Sequence, residues 1–263
     1  MSELAEQVSL KDFLGTEGLS LVDPWEFIVR LCLLHLVVII PCLNESRTIS
    51  QVIAKIPGDI PGISHVDVVV VDDGSSDDSA AIARNMGAYV VSHPNRMGVG
   101  VAFNTGLNQA IQLGADIMVN IDGDGQFDPG DIPKLVQPIL EGRADFVTAS
   151  RFKDANLEPG MPWIKKWGNK GMARLISILT GHKFYDVTCG FRAYSKETML
   201  QLNLIGKFTY TQETFLDLAF KDIKIKEMPI KVLGQRQFGN SRVTRSIWAY
   251  AVNSGKIILR AFR

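Results

Sequence analysis

The chain has 263 residues, 46% of them apolar and 21% charged, which is enough for one large domain or two small ones with an ordinary globular core. Its 28 basic and 28 acidic residues give a formal net charge of zero, so no overall field argues for nucleic acid. Three scattered cysteines (Cys32, Cys42, Cys189) show no disulfide framework and suit a reducing compartment, no signal-peptide pattern is visible, and the longest apolar run, residues 31–43, is broken by His35 and Pro41 and too short to span a bilayer.

The charge is unevenly placed. Residues 1–29 hold six acids and one base, whereas after Glu227 there are seven Lys and Arg and no acid. Asp23-Pro24-Trp25-Glu26 has the form of a helix start, with Asp as N-cap, Pro at the first position and Glu at the third. It predicts a short helix to about Leu34 in an N-terminal extension, residues 1–35, read as structural: it packs on the domain or mediates assembly. Residues 36–40 form a continuous apolar run of strand length, expected at the centre of a parallel sheet. Pro41-Cys42-Leu43-Asn44-Glu45 ends it, and residues 46–56 fit a helix. A second such strand, 66–71, ends in Asp72-Asp73-Gly74-Ser75-Ser76-Asp77. A helix follows to about Met86, with Gly87 as its C-cap. A strand at 88–92, a helix at 98–113 and a strand at 117–121 continue the alternation. This order implies a parallel α/β sheet with right-handed crossovers.

Beyond it, 131–140 reads as a helix and 145–149 as a strand ending in Ser150-Arg151. Residues 163–179 read as an amphipathic helix carrying Lys165, Lys166, Lys170 and Arg174. Strands are expected at 190–195 and 223–233, and helices at 211–220 and 246–262. No linker, repeat or low-complexity segment divides the chain.

The fourth strand runs into Asp122-Gly123-Asp124-Gly125-Gln126. Residues i and i+2 of a strand point the same way, so two carboxylates can converge just past its end. Gln126 keeps the spacing and adds a neutral oxygen. Three oxygens from one turn suit Mg²⁺ or Mn²⁺, with phosphate and water in the other positions. Gly123 beside them lets a bulky ligand approach the backbone. A lone Asp-x-Asp is equally well explained as a polar turn with a helix cap. Here, however, Glu45, Asp72, Asp73, Asp122 and Asp124 all fall at carboxyl ends of predicted strands, where such sheets bind ligands. Acids gathered there repel one another unless a cation or ligand hydrogen bonds hold them. For Asp77, turn chemistry is the preferred account.

Six motifs occur in order: Pro41-x-x-Asn44-Glu45, Val71-Asp72-Asp73-Gly74-Ser75-x-Asp77, Asn95-x-x-Gly98-x-Gly100, Asp122-x-Asp124-x-Gln126, Ser150-Arg151 and Asp186-x-x-x-Gly190-Phe191-Arg192. Together they resemble a family 2 glycosyltransferase of the GT-A fold, in the dolichyl-phosphate mannose synthase-like branch, over residues 36–263. The resemblance implies a mostly parallel twisted sheet with helices on both faces, divided into a nucleotide-sugar half at about 36–126 and an acceptor half at about 127–263. It places Pro41 and Glu45 beside the nucleoside, Val71 against the base and Asp73 on the ring N–H groups of the base, with Asp122 and Gly123 also in the donor site. Asp122, Asp124 and Gln126 would hold the cation. Arg151, Arg236 and Arg242 would face phosphates; Arg242 stands where relatives more often have Lys, which keeps the charge and alters the geometry. Asp186 and Glu213 are the acids on the acceptor side, with Arg192 an equally good structural partner for Asp186. The catalytic set is then Asp124, Arg151, Asp186, Glu213 and Arg236.

The implied reaction is inverting transfer of a hexose from GDP-mannose or a UDP-hexose to a polyprenyl or dolichyl phosphate. Two alternatives stay open: transfer to a saccharide or small-molecule hydroxyl, and an inactive nucleotide-sugar-binding subunit. The helices at 163–179 and 246–262 combine aromatic residues with flanking cations, as suits a headgroup boundary, though both apolar faces could equally cover the sheet. The expected location is the cytoplasm, with peripheral contact at the cytoplasmic face of a membrane. A homo-oligomer is left open.

Overall fold

The computed structural model describes residues 34–204, 210–221 and 223–233. The expected helices at about 23–34 and 246–262, and Arg236 and Arg242, lie outside the described residues. Strand and helix alternate as β1 (Leu34–Cys42), α1 (Ile49–Ala54), β2 (Ile63–Asp72), α2 (Ser79–Asn85), β3 (Tyr89–Ser92), α3 (Val99–Gln112), β4 (Ile117–Asn120), α4 (Ile132–Leu140), β5 (Phe146–Ser150) and α5 (Trp163–Thr180). They continue as β6 (Arg192–Ser195), α6 (Lys196–Gln201), α7 (Thr211–Ala219) and β7 (Ile225–Pro229). The strands form one sheet in the order β3-β2-β1-β4-β6-β5-β7.

β1 sits between β2 and β4 and is parallel to both. Its apolar run has no polar face, and the packing shows why. Leu36, Val38 and Ile40 join Ile49, Val52, Leu135 and Val136 in a core on one side. Val37 and Ile39 join Phe103, Leu107, Ile176 and Phe215 on the other. Burying each such side chain stabilises by about 1.5–3 kcal/mol, so both faces demand cover. After β3 the chain returns across β1 to begin β4. That reversal makes a switch point between the carboxyl ends of β1 and β4, the position where open α/β sheets hold ligands.

One strand runs against the rest. β6 is antiparallel to both β4 and β5. Asn120 at the end of β4 faces Arg192 at the start of β6. The Asp186–Gly190 loop therefore meets the Asp122–Asp124 turn at one edge, although it precedes its own strand. The helix α6 had no counterpart in the pattern. Its start is set by Ser195, whose Oγ accepts from the Thr198 N–H at 3.2 Å. β7 is shorter than the predicted 223–233 because Pro229, which cannot donate to a ladder, closes it.

Candidate active site

The donor-side edge is built from three loops. After β1, Asn44 takes a left-handed backbone with φ 56°, a conformation that Asn tolerates. Its N–H donates to Ser75 Oγ at 2.9 Å, and its Oδ1 accepts from the Ser76 N–H at 2.8 Å. The Glu45 N–H donates to Ser79 Oγ at 2.8 Å, and the Glu45 side chain is buried. Pro41 is half-buried beside it, and Val71 is fully buried at the end of β2. Thr48 Oγ1 donates to the Gly123 carbonyl at 2.7 Å, tying this loop to the Asp-x-Asp turn.

Asp73 is buried and accepts three protein hydrogen bonds. The Met97 and Gly98 N–H groups donate at 2.8 and 2.9 Å, and His93 Nδ1 lies at 2.9 Å. A carboxylate offers about four lone-pair sites, so these bonds take up most of its capacity. Asp73 thus also fixes the 95–98 loop. Gly74 permits this closure: at φ 75°, a Cβ there would stand 2.8 Å from the Asn95 carbonyl carbon and 2.9 Å from the Arg96 nitrogen. Asp77 accepts from the Ser79 and Ser46 N–H groups at 3.1 and 3.2 Å. Its burial raises the pKa, but these hydrogen bonds outweigh it and hold the carboxyl below the usual range, in keeping with turn chemistry.

Asp122 and Asp124 follow β4, both half-buried. Burial raises the Asp122 carboxyl, against the pull of Arg151 and Arg192. Burial and the Asp122 charge raise Asp124 to about 7, against a hydrogen bond from the Gln126 N–H at 3.0 Å. The Asp122 charge opposes ionisation of Asp124, and two carboxylates on one turn form an oxygen donor set that fits a hard divalent cation. The Gln126 carbonyl accepts from the Leu233 N–H at 2.9 Å, which orders the turn.

Arg151, at the end of β5, makes a bidentate pair with Asp186: Nε to Oδ2 at 2.6 Å and Nη2 to Oδ1 at 2.9 Å. Asp186 is completely buried and also accepts from the Thr188 N–H and hydroxyl at 3.1 and 3.0 Å. Burial pushes its carboxyl up, yet the Arg151 charge and these bonds prevail and hold it below the usual range. Arg151 is raised in turn. Asp186 therefore pairs with Arg151 and not with Arg192. Arg192 is itself fully buried, donating to the carbonyls of Cys189, Val187 and Thr211 at 2.8, 3.2 and 2.8 Å. It stacks over Phe215 at 5.0 Å. Its role is to pin the start of α7 to the sheet. Glu213 stands in the first turn of α7, half-buried.

Sequence reasoning passed over three supports of this site. Glu227 is buried on β7 and accepts from the Tyr185 and Asp186 N–H groups at 3.0 and 2.9 Å, fixing the loop that carries Asp186. Asn120 Nδ2 donates to the Gly190 carbonyl at 2.6 Å and to the Tyr210 hydroxyl at 2.7 Å. A Cβ on Gly190 would stand 2.9 Å from Asp122 Oδ2 and 3.1 Å from the Tyr210 hydroxyl, so those two groups crowd one spot. Only Gly190 carried a signal, through its place in the last motif.

Residues 37–201 match the sequence profile described as Glycosyl transferase family 2. The chain belongs to that family. Among this family 2 member's relatives is a UDP-N-acetylglucosamine–dolichyl-phosphate N-acetylglucosaminyltransferase of Methanococcus voltae, 33% identical over 215 residues, covering 74% of this chain and 84% of its own. Another is the polyprenol monophosphomannose synthase of Mycolicibacterium smegmatis, 26% identical over 219 residues, covering 80% and 81%. The fold is shared with glucosyl-3-phosphoglycerate synthase of Mycobacterium tuberculosis, solved with Mn²⁺, UDP and phosphoglyceric acid: TM-score 0.68, 23% identity, covering 90% of this chain and 81% of that one.

The family 2 domain has an unusual helix after β5. Only Ala173 and Ile176 of α5 are fully buried. Trp163 and Trp167 are each 75% exposed and Ile178 is 71% exposed, with Ile164 and Leu175 also outward. At 100° per residue these five fall within one outward stripe, opposite the buried pair. Lys170 borders it, and Arg174 lies within it, between the two tryptophans. Glu158 pairs with Lys170 at 2.5 Å and with Lys166. No helix among the described residues is long and apolar enough to cross a membrane.

Proposed function

We propose that this glycosyltransferase moves a hexose from a nucleotide sugar to a polyprenyl or dolichyl phosphate, with inversion, at the edge where Asp122, Asp124, Arg151 and Asp186 meet. The observation that carries the lipid acceptor is the outward stripe of α5. Two exposed tryptophans flanked by cations suit a headgroup boundary, and they follow directly on the Arg151 segment. The names of the archaeal and mycobacterial relatives support the same acceptor class.

Asp122 and Asp124, with Gln126, would hold Mg²⁺ or Mn²⁺, and an ion bound there neutralises charge developing on the departing nucleotide diphosphate. The bases of both candidate donors present N–H groups, so the remaining acceptor site of Asp73 serves GDP and UDP sugars alike. Pro41, Glu45, Val71 and Gly123 line the nucleoside side. Arg151 adds a fixed positive charge near Asp122, and Asp186 holds that guanidinium in place. Arg236 and Arg242 would supply further charge to phosphates. A lipid monophosphate is already an anionic nucleophile. One of its oxygens attacks the anomeric carbon as the bond to the diphosphate breaks, and no general base is required. Asp186, held ionised below the usual range with its oxygens engaged, is a poor base in any case. Transfer to a hydroxyl would leave that task to Glu213.

The test is a transfer assay crossing UDP and GDP sugars with polyprenyl phosphate and with free saccharide acceptors, beside flotation on anionic vesicles. Lipid-linked product is expected with Mg²⁺ or Mn²⁺, and Glu213→Gln is expected to keep the acidic limb of the pH–rate profile, which a carboxylate general base would set. Flotation should weaken with salt, since each basic residue near an anionic surface contributes about 1 kcal/mol. It should weaken again in a Trp163→Ala/Trp167→Ala/Arg174→Glu variant. Efficient transfer to a free sugar hydroxyl, with polyprenyl phosphate ignored, would overturn the acceptor assignment.

A further inference from the structure

At the opposite end of the sheet, three metal-ligating side chains converge. His35 on β1 and His65 on β2 are direct register partners, and Asp67 lies two residues beyond His65. The strand pleat therefore sets all three on one face. His35 Nε2 is 3.0 Å from Asp67 Oδ2, and His65 Nε2 is 2.9 Å from Asp67 Oδ1. The two rings are 5.2 Å apart. Among the described residues this is the one group in which three or more His, Cys, Asp or Glu ligand atoms all lie within 4.8 Å of one another. His35 and Asp67 side chains are 19% and 14% exposed, whereas His65 is 64% exposed, so the cluster has two held ligands and one at the rim. It stands about 23 Å of extended strand away from the carboxyl end of β1, and so apart from the transfer site.

We propose that His35, His65 and Asp67 form a binding site for a divalent transition-metal ion of the zinc type. Two imidazoles with one carboxylate favour such an ion over Mg²⁺ or Ca²⁺, which prefer all-oxygen shells. Tetrahedral ligands at about 2.0–2.1 Å from zinc stand roughly 3.3 Å from one another, and the three ligand atoms already lie within 4.8 Å of one another, so side-chain adjustment alone can close the set. Each imidazole binds through a deprotonated Nε2, any proton there moving to Nδ1 or to solvent, and water takes the fourth position. His35 is anchored for this purpose: its N–H donates to Asp116 Oδ2 at 3.1 Å, and its carbonyl accepts from the Asp116 N–H at 2.9 Å. A metal here ties β1 to β2 at the edge where β1 begins.

The experiment uses the full chain in an Asp124→Asn background, which weakens the competing carboxylate site. Added Co²⁺ should give the intense visible absorption of a four-coordinate, nitrogen-ligated ion, and Zn²⁺ should displace it and raise the Tm. His65→Ala, at an exposed position, should fold normally and weaken Zn²⁺ binding at least about tenfold, and His35→Gln should do the same. A weak, six-coordinate cobalt spectrum, or a Zn²⁺ response equal in the parent and both histidine variants, would overturn the proposal and leave a hydrogen-bonded His–Asp–His ladder.

Discussion

Two groups of carboxylates share the active edge and meet opposite fates. Burial opposes the ionisation of Asp122, Asp124 and Asp186 alike. For Asp186 the protein itself supplies the answer, through the bidentate Arg151 and the Thr188 donors, and the carboxyl falls below its ordinary range. For Asp122 and Asp124 the balance goes the other way: the charge of Arg151 reaches Asp122 and the Gln126 N–H reaches Asp124, but burial prevails and both stay raised. A completed ion pair is architecture. A carboxylate pair held above its ordinary range at a strand end suits a ligand that brings positive charge.

That contrast can be broken from either side. Asp124→Asn should keep the fold and lower transfer by about 10²–10³-fold, the scale of removing one group that stabilises transition-state charge. Turnover of the variant at the parent rate with saturating Mn²⁺ would end the assignment. Asp186→Asn should act mainly on stability. It leaves the Arg151 guanidinium buried and unmatched, at a cost of about 3–5 kcal/mol. Denaturant unfolding reads this directly, and a loss under about 1 kcal/mol would show that solvent already screens the pair.

The two groups should also separate with pH. Asp124 moves from 3.8 to about 7 on folding, so the native state binds the extra proton between those values. Its contribution is complete below about 4 and is lost as pH rises towards 7. Asp186 is shifted the other way. Its contribution is present above the ordinary carboxylate value and is lost as pH falls through its lowered native value. Metal-free protein should therefore lose stability from about pH 4 to 7 relative to Asp124→Asn, and saturating Mn²⁺ should erase that difference by replacing protons. Parallel Tm curves for parent and variant across this window would refute the raised Asp124 carboxyl.

Residues 36–126 were legible because their signals are local. β1 and β2 are apolar runs buried on both faces, and their motifs sit immediately after them in sequence. Residues 127–263 were less so. Nothing near Arg192 announces an antiparallel strand, and the pairing of Asp186 with Arg151 spans 35 positions, so proximity along the chain pointed to Arg192 instead. The three oxygens of Asp122, Asp124 and Gln126 could be grouped by spacing, but the opposed ionisation of the aspartates depends on burial that no motif encodes. Asp73 shows a further limit: its acceptor capacity was evident, whereas its occupation by Met97, Gly98 and His93 needed the folded loop. Helix periodicity located α5 but could not say that its aromatic stripe faces outward.

The smallest expected effect tests whether the Asp122–Asp124 pair, the proposed metal site, is positioned as finely as the Arg151–Asp186 pair. Gly190 has no side chain where Asp122 and Tyr210 converge, and a methyl there would press on Asp122 Oδ2 at 2.9 Å and on the Tyr210 hydroxyl at 3.1 Å. The hydroxyl is fixed by Asn120, so the carboxylate is the group that gives way. Gly190→Ala should cost about 1–3 kcal/mol of stability as local overpacking. Its more telling effect is on the metal: the Mn²⁺ concentration for half-maximal rate should rise several-fold, while the rate at saturating metal changes little. Loss of the saturated rate with unchanged metal demand would place Gly190 against the acceptor, not behind Asp122. Tyr210→Phe provides the control. It keeps the ring stacked on Phe103 at 4.1 Å but removes the hydroxyl from the crowded spot, so in combination with Gly190→Ala it should restore part of the metal affinity.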